Sequence, residues 1–242
     1  MKKIIALSIL AVAPAIVQAQ GTIEVYSISA TYASYTNTAV SSYVSGNQTG
    51  GTSGKAALPP TGTASYYDYA LLAGSLNTSL AGTAPSASYL EGLSVAVSGI
   101  TNFYVAGGLA GPGHNVGAPV QIGSWAAPAN SYTDGTGVEM NYVLVGWSSS
   151  LGSSWSTIES DLANDTWGAG GYFGASTIGY GYVGGGANSL SAPSIFGVST
   201  AEPGGLAAGP TLYDIPPVPE PTTLALSALG GLSLLAFRRK KA

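Results

Sequence analysis

The chain has 242 residues, of which 45% are hydrophobic and only 7% are charged, and it contains no cysteine. Residues 20–218 hold one lysine, no arginine and ten acidic residues, which leaves a net charge of −9. Such a body has almost no means of neutralising phosphates, which argues against nucleic-acid binding, and without thiols it has neither disulfides nor cysteine-based catalytic or metal sites.

The first 19 residues have the three parts of a secretory signal peptide. Lys2 and Lys3 form a positive start, residues 4–17 are apolar, and small residues precede a cut between Ala19 and Gln20. A retained membrane helix is the alternative, but the apolar run is short for a span of about 20 residues. The sequence therefore predicts export by the Sec machinery, cleavage by signal peptidase, and a mature chain that starts at Gln20.

The body from residue 20 to 214 reads as a set of short strands. Several segments alternate with period two or are rich in β-branched and aromatic residues, and Gly, Asn, Pro and Ser clusters separate them. Without alternating helices, this pattern predicts an all-β domain, an antiparallel β-sandwich or jelly roll. The segments are 22–36, 65–74, 93–108, 119–126, 138–147 and 211–215.

One segment has helical rather than strand periodicity. In residues 153–165, Trp155, Ile158 and Leu162 recur at helical spacing, which predicts one short helix packed on the sheet. A serine within 153–156 is expected to cap it, and Ser156 with Glu159 has capping-box spacing. Residues 45–65 are predicted to be a long loop, and the Gly-rich residues 168–189 either a tight loop or strands with bulges.

No catalytic constellation stands out, and the sequence predicts no enzyme, no cofactor and no metal site. His114 is the only histidine, so neither a metal cluster nor a Ser-His-Asp triad has a recognisable pattern. Glycoside hydrolysis needs only two acids at the right separation, and spacing cannot pair the candidates Glu24, Asp68, Glu91, Asp134, Glu139, Glu159, Asp161, Asp165 and Asp214. We expect the four tryptophans to lie in the core, whereas some of the fifteen tyrosines suit surface contacts with sugars.

The C-terminal segment, residues 215–242, has three parts. Pro219, Glu220 and Pro221 end a proline-rich stretch that keeps the chain extended. Residues 222–237 are uncharged and as a helix would reach roughly 24 Å, a short membrane span that the flanking arginines extend. The positions assigned to this span are Thr222, Leu224, Leu226, Leu229, Leu232, Leu234, Leu235 and Phe237. The basic stop is Arg238, Arg239, Lys240 and Lys241, which should stay cytoplasmic.

This tail closely resembles the PEP-CTERM sorting signal of Gram-negative bacteria, on residues 218–222, 224–237 and 238–241. The resemblance implies recognition by an exosortase, a membrane-embedded enzyme, and removal of the tail near the PEP tripeptide. The body would pass from an inner-membrane intermediate to the cell surface or the exopolysaccharide matrix. An uncut C-terminal anchor is the alternative.

These observations predict a non-enzymatic surface or matrix protein whose partners are the export machinery, an exosortase, the membrane and exopolysaccharide. The second hypothesis is a carbohydrate-binding module, since the body is rich in tyrosine. A secreted glycoside hydrolase is the third hypothesis.

Overall fold

The structure is a computed structural model that describes residues 20–25, 32–44, 51–56, 66–101, 120–126, 139–168, 170–182, 184–185, 193–199 and 202–216. Within these residues the strands are β1 Gln20–Ile23, β2 Tyr35–Val40, β3 Ser53–Lys55, β4 Tyr67–Ser75, β5 Ser94–Thr101, β6 Val120–Ala126, β7 Met140–Ser148, β8 Gly171–Ala175, β9 Gly179–Gly181, β10 Gly184–Gly185 and β11 Thr211–Ile215. The helices are α1 Ala87–Glu91 and α2 Trp155–Asn164, with 3-10 helices at Thr78–Leu80 and Ser149–Leu151. None of these described helices is both long and apolar enough to cross a membrane.

Eight strands form one large sheet in the order β3-β2-β11-β8-β7-β4-β5, with β9 paired to β7 beyond the end of β8. Its neighbours are antiparallel except β2 and β11, which run parallel with Tyr35 opposite Thr211. The prediction of a mainly β body is confirmed, but a purely antiparallel arrangement is wrong. The strand order within the described residues does not confirm a jelly roll.

A smaller sheet, in the order β10-β1-β6, packs Ile23 of β1 against one face of the large sheet. We call the buried residues between them the first cluster: Ile23, Val25, Ala56, Tyr67, Tyr69, Leu71, Ala73, Val97, Tyr142, Leu144, Ile195, Phe196, Leu206 and Leu212. Residues 193–199 and 202–206 join this layer, where the amide of Leu206 donates to the carbonyl of Ile195 at 2.8 Å. The first face is thus covered by a mixture of strand and irregular chain.

The helices cover the opposite face. There the second cluster is Ala70, Leu72, Leu90, Leu93, Val143, Val145, Trp147, Leu151, Trp155, Ile158, Leu162, Trp167, Phe173, Ile178 and Ile215. The central strands β4 and β7 contribute alternate residues to the two clusters, so both of their faces are buried. This burial explains why their sequences are continuous apolar runs rather than strict alternations.

Helix α2 forms where the sequence predicts it. Trp155, Ile158 and Leu162 are buried in the second cluster. The cap is Ser154, whose hydroxyl accepts from the amide of Thr157 at 3.4 Å. The capping-box pairing of Ser156 with Glu159 is wrong, because Ser156 already lies inside the helix.

Two further predictions need correction. A second α-helix, α1, is present, and the Ser86 hydroxyl caps it by accepting from the amide of Tyr89. The predicted loop over residues 45–65 contains β3, which pairs with β2. In the Gly-rich region over 168–189 the strand alternative is confirmed, since the described residues there include β8, β9 and β10. Short Gly-rich strands are hard to recognise alone, since their stability comes from pairing partners distant in sequence.

Candidate functional site

The junction between the body and the predicted sorting tail lies at the end of β11. This strand is hydrogen-bonded on both edges, to β2 in parallel and to β8 in antiparallel register. Leu212 is fully buried in the first cluster and Ile215 is fully buried in the second. The strand also includes Ile215, one residue beyond the predicted end of the body. The tail is therefore attached to a strand held on both edges and both faces.

The other predicted processing point also borders a paired strand. Strand β1 begins at Gln20, the predicted first residue of the mature chain, and pairs with β6 and β10. Ile23 in this strand is fully buried in the first cluster. The predicted mature chain is thus paired into the body from its first residue, Gln20.

The sorting residues themselves lie outside the described part of the structure. This applies to the processing residues Pro219, Glu220 and Pro221, to the predicted span over 222–237, to the basic stop Arg238 to Lys241, and to Ala19 of the signal-peptide cut. Their roles stay predictions from the sequence.

Inside the body, a buried acid is paired with a buried phenol. Glu202 has no exposed surface, and Tyr142 on β7 donates its hydroxyl to Glu202 Oε2 at 2.6 Å. The backbone of Glu202 is held by a turn, in which its amide donates to Ser199 Oγ at 3.0 Å and its carbonyl accepts from the amide of Gly205 at 3.2 Å. The turn places the carboxyl in the first face of the sheet.

The surroundings of Glu202 favour its neutral form. Burial raises the pKa of Glu202 to about 9, the hydrogen bond from Tyr142 opposes this rise, and the charge of Glu139 adds to it. Burial also raises the pKa of Tyr142 above its ordinary range, and Glu202 raises it further. Both groups therefore hold their protons at neutral pH.

The hydrogen bonds at this contact leave part of the carboxyl without a partner. The Tyr142 hydroxyl lies within reach of two acceptors, Glu202 Oε2 and the carbonyl of Ile195 at 3.3 Å, but a phenol has one proton to donate. Glu202 Oε1 has no partner among the described residues, a further cost that a negative charge would increase.

The candidate acids that the structure describes lie in different local environments. In the described part of the chain, no group of three or more His, Cys, Asp or Glu side chains could hold a metal ion. The candidates Glu91 and Asp165 are exposed, and Asp68 accepts from Ser149 Oγ at 2.7 Å. His114 and Asp134 lie outside the described residues. Glu202 is unsuited to act on a sugar because no solvent reaches it.

Most of the described aromatic residues are structural. Trp147, Trp155 and Trp167 are buried, which confirms the core prediction for them, whereas the side chain of Trp125 lies outside the described part. Among the described tyrosines, Tyr66 is the most exposed, at 48%. Burial and cross-strand packing account for Tyr67, Tyr69 and Tyr142 without any ligand.

One open groove combines tyrosines with small hydroxyl residues. Its volume is about 320 Å³, and its lining includes Ser42, Tyr43, Thr177, Thr211 and Tyr213. The Tyr43 hydroxyl donates to the carbonyl of Pro85 at 2.9 Å, and its ring meets that of Phe173 edge-on, so its position is well defined. The groove offers ring surface and polar groups side by side.

Sequence reasoning missed the pair of Tyr142 and Glu202. Glu202 stands in "STAEPGG", where Pro and Gly predict a turn and an exposed acid, and it is absent from the candidate acids above. Tyr142 stands in an apolar run that predicts only a strand. No local signal links residues 60 positions apart, so only the fold could find this contact.

The comparisons with known proteins identify the tail. The family model described as PEP-CTERM protein-sorting motif matches residues 217–240. No curated protein and no solved structure gave a match to the chain. The predicted tail is thereby confirmed as a PEP-CTERM sorting motif, which supports an exported protein processed by an exosortase and is consistent with the cell surface of Gram-negative bacteria. The family of the body remains unidentified.

Proposed function

We propose that this chain, which carries a PEP-CTERM sorting motif at residues 217–240, is a non-enzymatic surface or matrix protein. It is exported by the Sec machinery, loses residues 1–19 to signal peptidase, and is held in the inner membrane by residues 222–237. An exosortase then cuts near Pro219 to Pro221, and the body reaches the cell surface and its exopolysaccharide.

The observation that carries this proposal is the position of the body's first and last strands in the chain relative to the two predicted cuts. Strand β1 begins at Gln20, and β11 ends at Ile215, two residues before the matched motif. Both strands are paired on two edges. A cut near the PEP tripeptide would therefore leave β11 and its pairing to β2 and β8 intact.

Intact-mass measurement of the exported protein tests this proposal at both termini. In a host with an exosortase, we expect a mass that starts at Gln20 and ends near the PEP tripeptide. Without the enzyme, we expect a membrane-bound chain that retains residues up to Ala242. Recovery of the full tail outside the cell, beside an active exosortase, would contradict the proposal.

A variant pair sharpens the same measurement. Glu220→Ala changes the central residue of the tripeptide, and we expect the uncut form to accumulate. Pro216→Ala is the matched control, because Pro216 lies on the same stretch but outside the matched residues. Equal processing of both variants would show that Glu220 of the PEP tripeptide is not required for recognition by the exosortase.

The groove lined by Tyr43 and Tyr213 favours a second candidate function, carbohydrate binding by the body. Tyrosine rings pack on apolar sugar faces while neighbouring hydroxyl groups bond to the sugar rim. We expect binding of exopolysaccharide fragments to be lost in Tyr213→Ala and kept in Tyr66→Ala, since Tyr66 is exposed but does not line the groove. Failure of the unchanged protein to bind any glycan on an array would exclude this candidate.

A further inference from the structure

Strand β11 runs toward one end of the large sheet, and the register aligns four strand ends there. Ile215 lies opposite Gly171 of β8, and Ser148 of β7 lies opposite Tyr67 of β4. Strand β8 joins these two pairs, because its Phe173 is opposite Trp147. We define the exit rim as Tyr66, residues 148–151, residues 170–171 and Ile215.

Three hydrogen bonds connect the strands at the exit rim. The amide of Ser149 donates to the carbonyl of Tyr66 at 2.9 Å, and Ser150 Oγ donates to the carbonyl of Gly170 at 3.1 Å. The amide of Tyr172 donates to Ser148 Oγ at 2.9 Å. These bonds link β4, β7 and β8 directly behind the residue from which the tail leaves.

The length of chain between the exit rim and the predicted span is small. Thr222 is seven residues beyond Ile215, so fully extended chain reaches at most about 25 Å. The headgroup layer on each side of the hydrocarbon core occupies about 5–8 Å of this distance. By contrast, the nine residues of β4 place Ser75 about 27 Å from Tyr67. The opposite rim, at Ser75 and Met140, therefore lies farther from the tail than the tail can reach.

The distribution of basic residues does not favour a face other than the exit rim for contact with the membrane. Anionic lipids attract lysine and arginine, and the only such residue between 20 and 218 is Lys55. Lys55 lies at the register position opposite Tyr35, at the start of β2, whereas β2 ends beside the exit rim at Val40. The tether, rather than electrostatic attraction, decides which end of the body is near the bilayer.

We propose that the exit rim is the surface that the body presents to the membrane while the tail is uncut, and that its partner there is the lipid headgroup layer. This inference rests on the proposed function, because it requires residues 222–237 to be inserted in a bilayer. It adds an orientation for the body, with the opposite rim directed away from the membrane.

Single-cysteine labelling of the full chain tests this orientation, since the chain has no cysteine of its own. Ser150→Cys places a bimane label on the exit rim, and Ser75→Cys, at the exposed last residue of β4, is the matched control. Both proteins are reconstituted in phosphatidylcholine and phosphatidylglycerol vesicles that contain a lipid with a nitroxide headgroup. Because the rims are about 27 Å apart, we expect the nitroxide to quench the label at position 150 at least about twofold more than at 75.

A second labelling position, a salt control and vesicle flotation allow each outcome to be interpreted. Tyr66→Cys lies on the same rim and should match position 150 even if loss of the Ser150 hydroxyl disturbs its turn. High salt should leave the contrast unchanged, because a covalent tether is not screened. Equal or stronger quenching at position 75 in chains that float with the vesicles would overturn the orientation alone. Failure of the chain to float with vesicles would overturn both the orientation and the proposed function.

Discussion

Tyr142 Oη and Glu202 Oε2 lie 2.6 Å apart in a part of the first cluster where Glu202 has no exposed surface. This contact joins the central strand β7 to the segment in which the amide of Glu202 donates to Ser199 Oγ. Burial favours the neutral form of this acid and raises its pKa, so the stability of the folded body should depend on pH.

Stability should fall as the pH rises. The pKa of Glu202 is about 9 in the folded protein against 4.5 as the ordinary value, so between these values the folded chain holds a proton that the unfolded chain has released. The free energy of unfolding contributed by this group is highest below pH 4.5 and decreases by up to roughly 1.4 kcal/mol per pH unit up to the folded pKa. Urea denaturation of Glu202→Gln, followed by tryptophan fluorescence, should show a flatter pH profile. Glu91→Gln, at an exposed position, should keep the original slope; equal slopes in both variants would refute this assignment.

Removal of the phenol hydroxyl should destabilise the body and raise the pKa of Glu202. Tyr142→Phe deletes the donor to Oε2, and leaving a buried polar atom without its partner costs about 1–3 kcal/mol. Since the hydrogen bond from Tyr142 lowers the pKa of Glu202, that pKa should rise further in the variant. Tyr66→Phe removes an exposed hydroxyl and serves as the control in the same denaturation series. A double-mutant cycle with Glu202→Gln that shows no coupling would argue against the pair.

Close packing between β8 and β11 predicts a strong effect at Gly174. A Cβ atom at this position would stand 2.0 Å from the carbonyl oxygen of Thr211, which is backbone. Gly174→Ala should therefore force the two strands apart and destabilise the body by at least about 2 kcal/mol. At Gly168 an added Cβ meets nothing within 4 Å, so Gly168→Ala is the control. Equal denaturation midpoints for the two variants would show that β11 is not held as described.

The cap of α2 can be tested with two neighbouring serines. Ser154→Ala removes the hydroxyl that accepts from the amide of Thr157, and loss of such a cap costs about 1 kcal/mol. Ser156→Ala changes an exposed position inside the helix, where alanine is the better helix former. Thermal denaturation should separate the two. A larger loss for Ser156→Ala would instead support the capping-box pairing with Glu159.

Local patterns in the sequence were enough to predict several elements. The helical spacing of Trp155, Ile158 and Leu162 predicted both α2 and its buried side. The strand at 211–215 was predicted from its composition and its flanking Pro and Gly residues, and it is β11. The tail was the most informative segment, because a proline-rich stretch, an apolar run and a basic end follow each other within 24 matched residues.

Pairing partners could not be predicted in the same way. Period-two alternation indicates a strand but says nothing of its neighbours, because each neighbour is selected by contacts far along the chain. The insertion of β11 between β2 and β8, parallel to one and antiparallel to the other, is such a case. The strand pattern alone therefore led to a purely antiparallel sheet, which the parallel pair contradicts.

The sequence by itself determined that this chain carries a sorting motif and a strand-rich body, because both are recorded in consecutive residues. Only the tertiary structure decided that the motif follows a strand paired on both edges, and that Glu202 and Tyr142 form a hydrogen bond in the core. The physical reason is that burial and hydrogen bonding depend on which distant segments share a face of the sheet, and no local pattern specifies that choice.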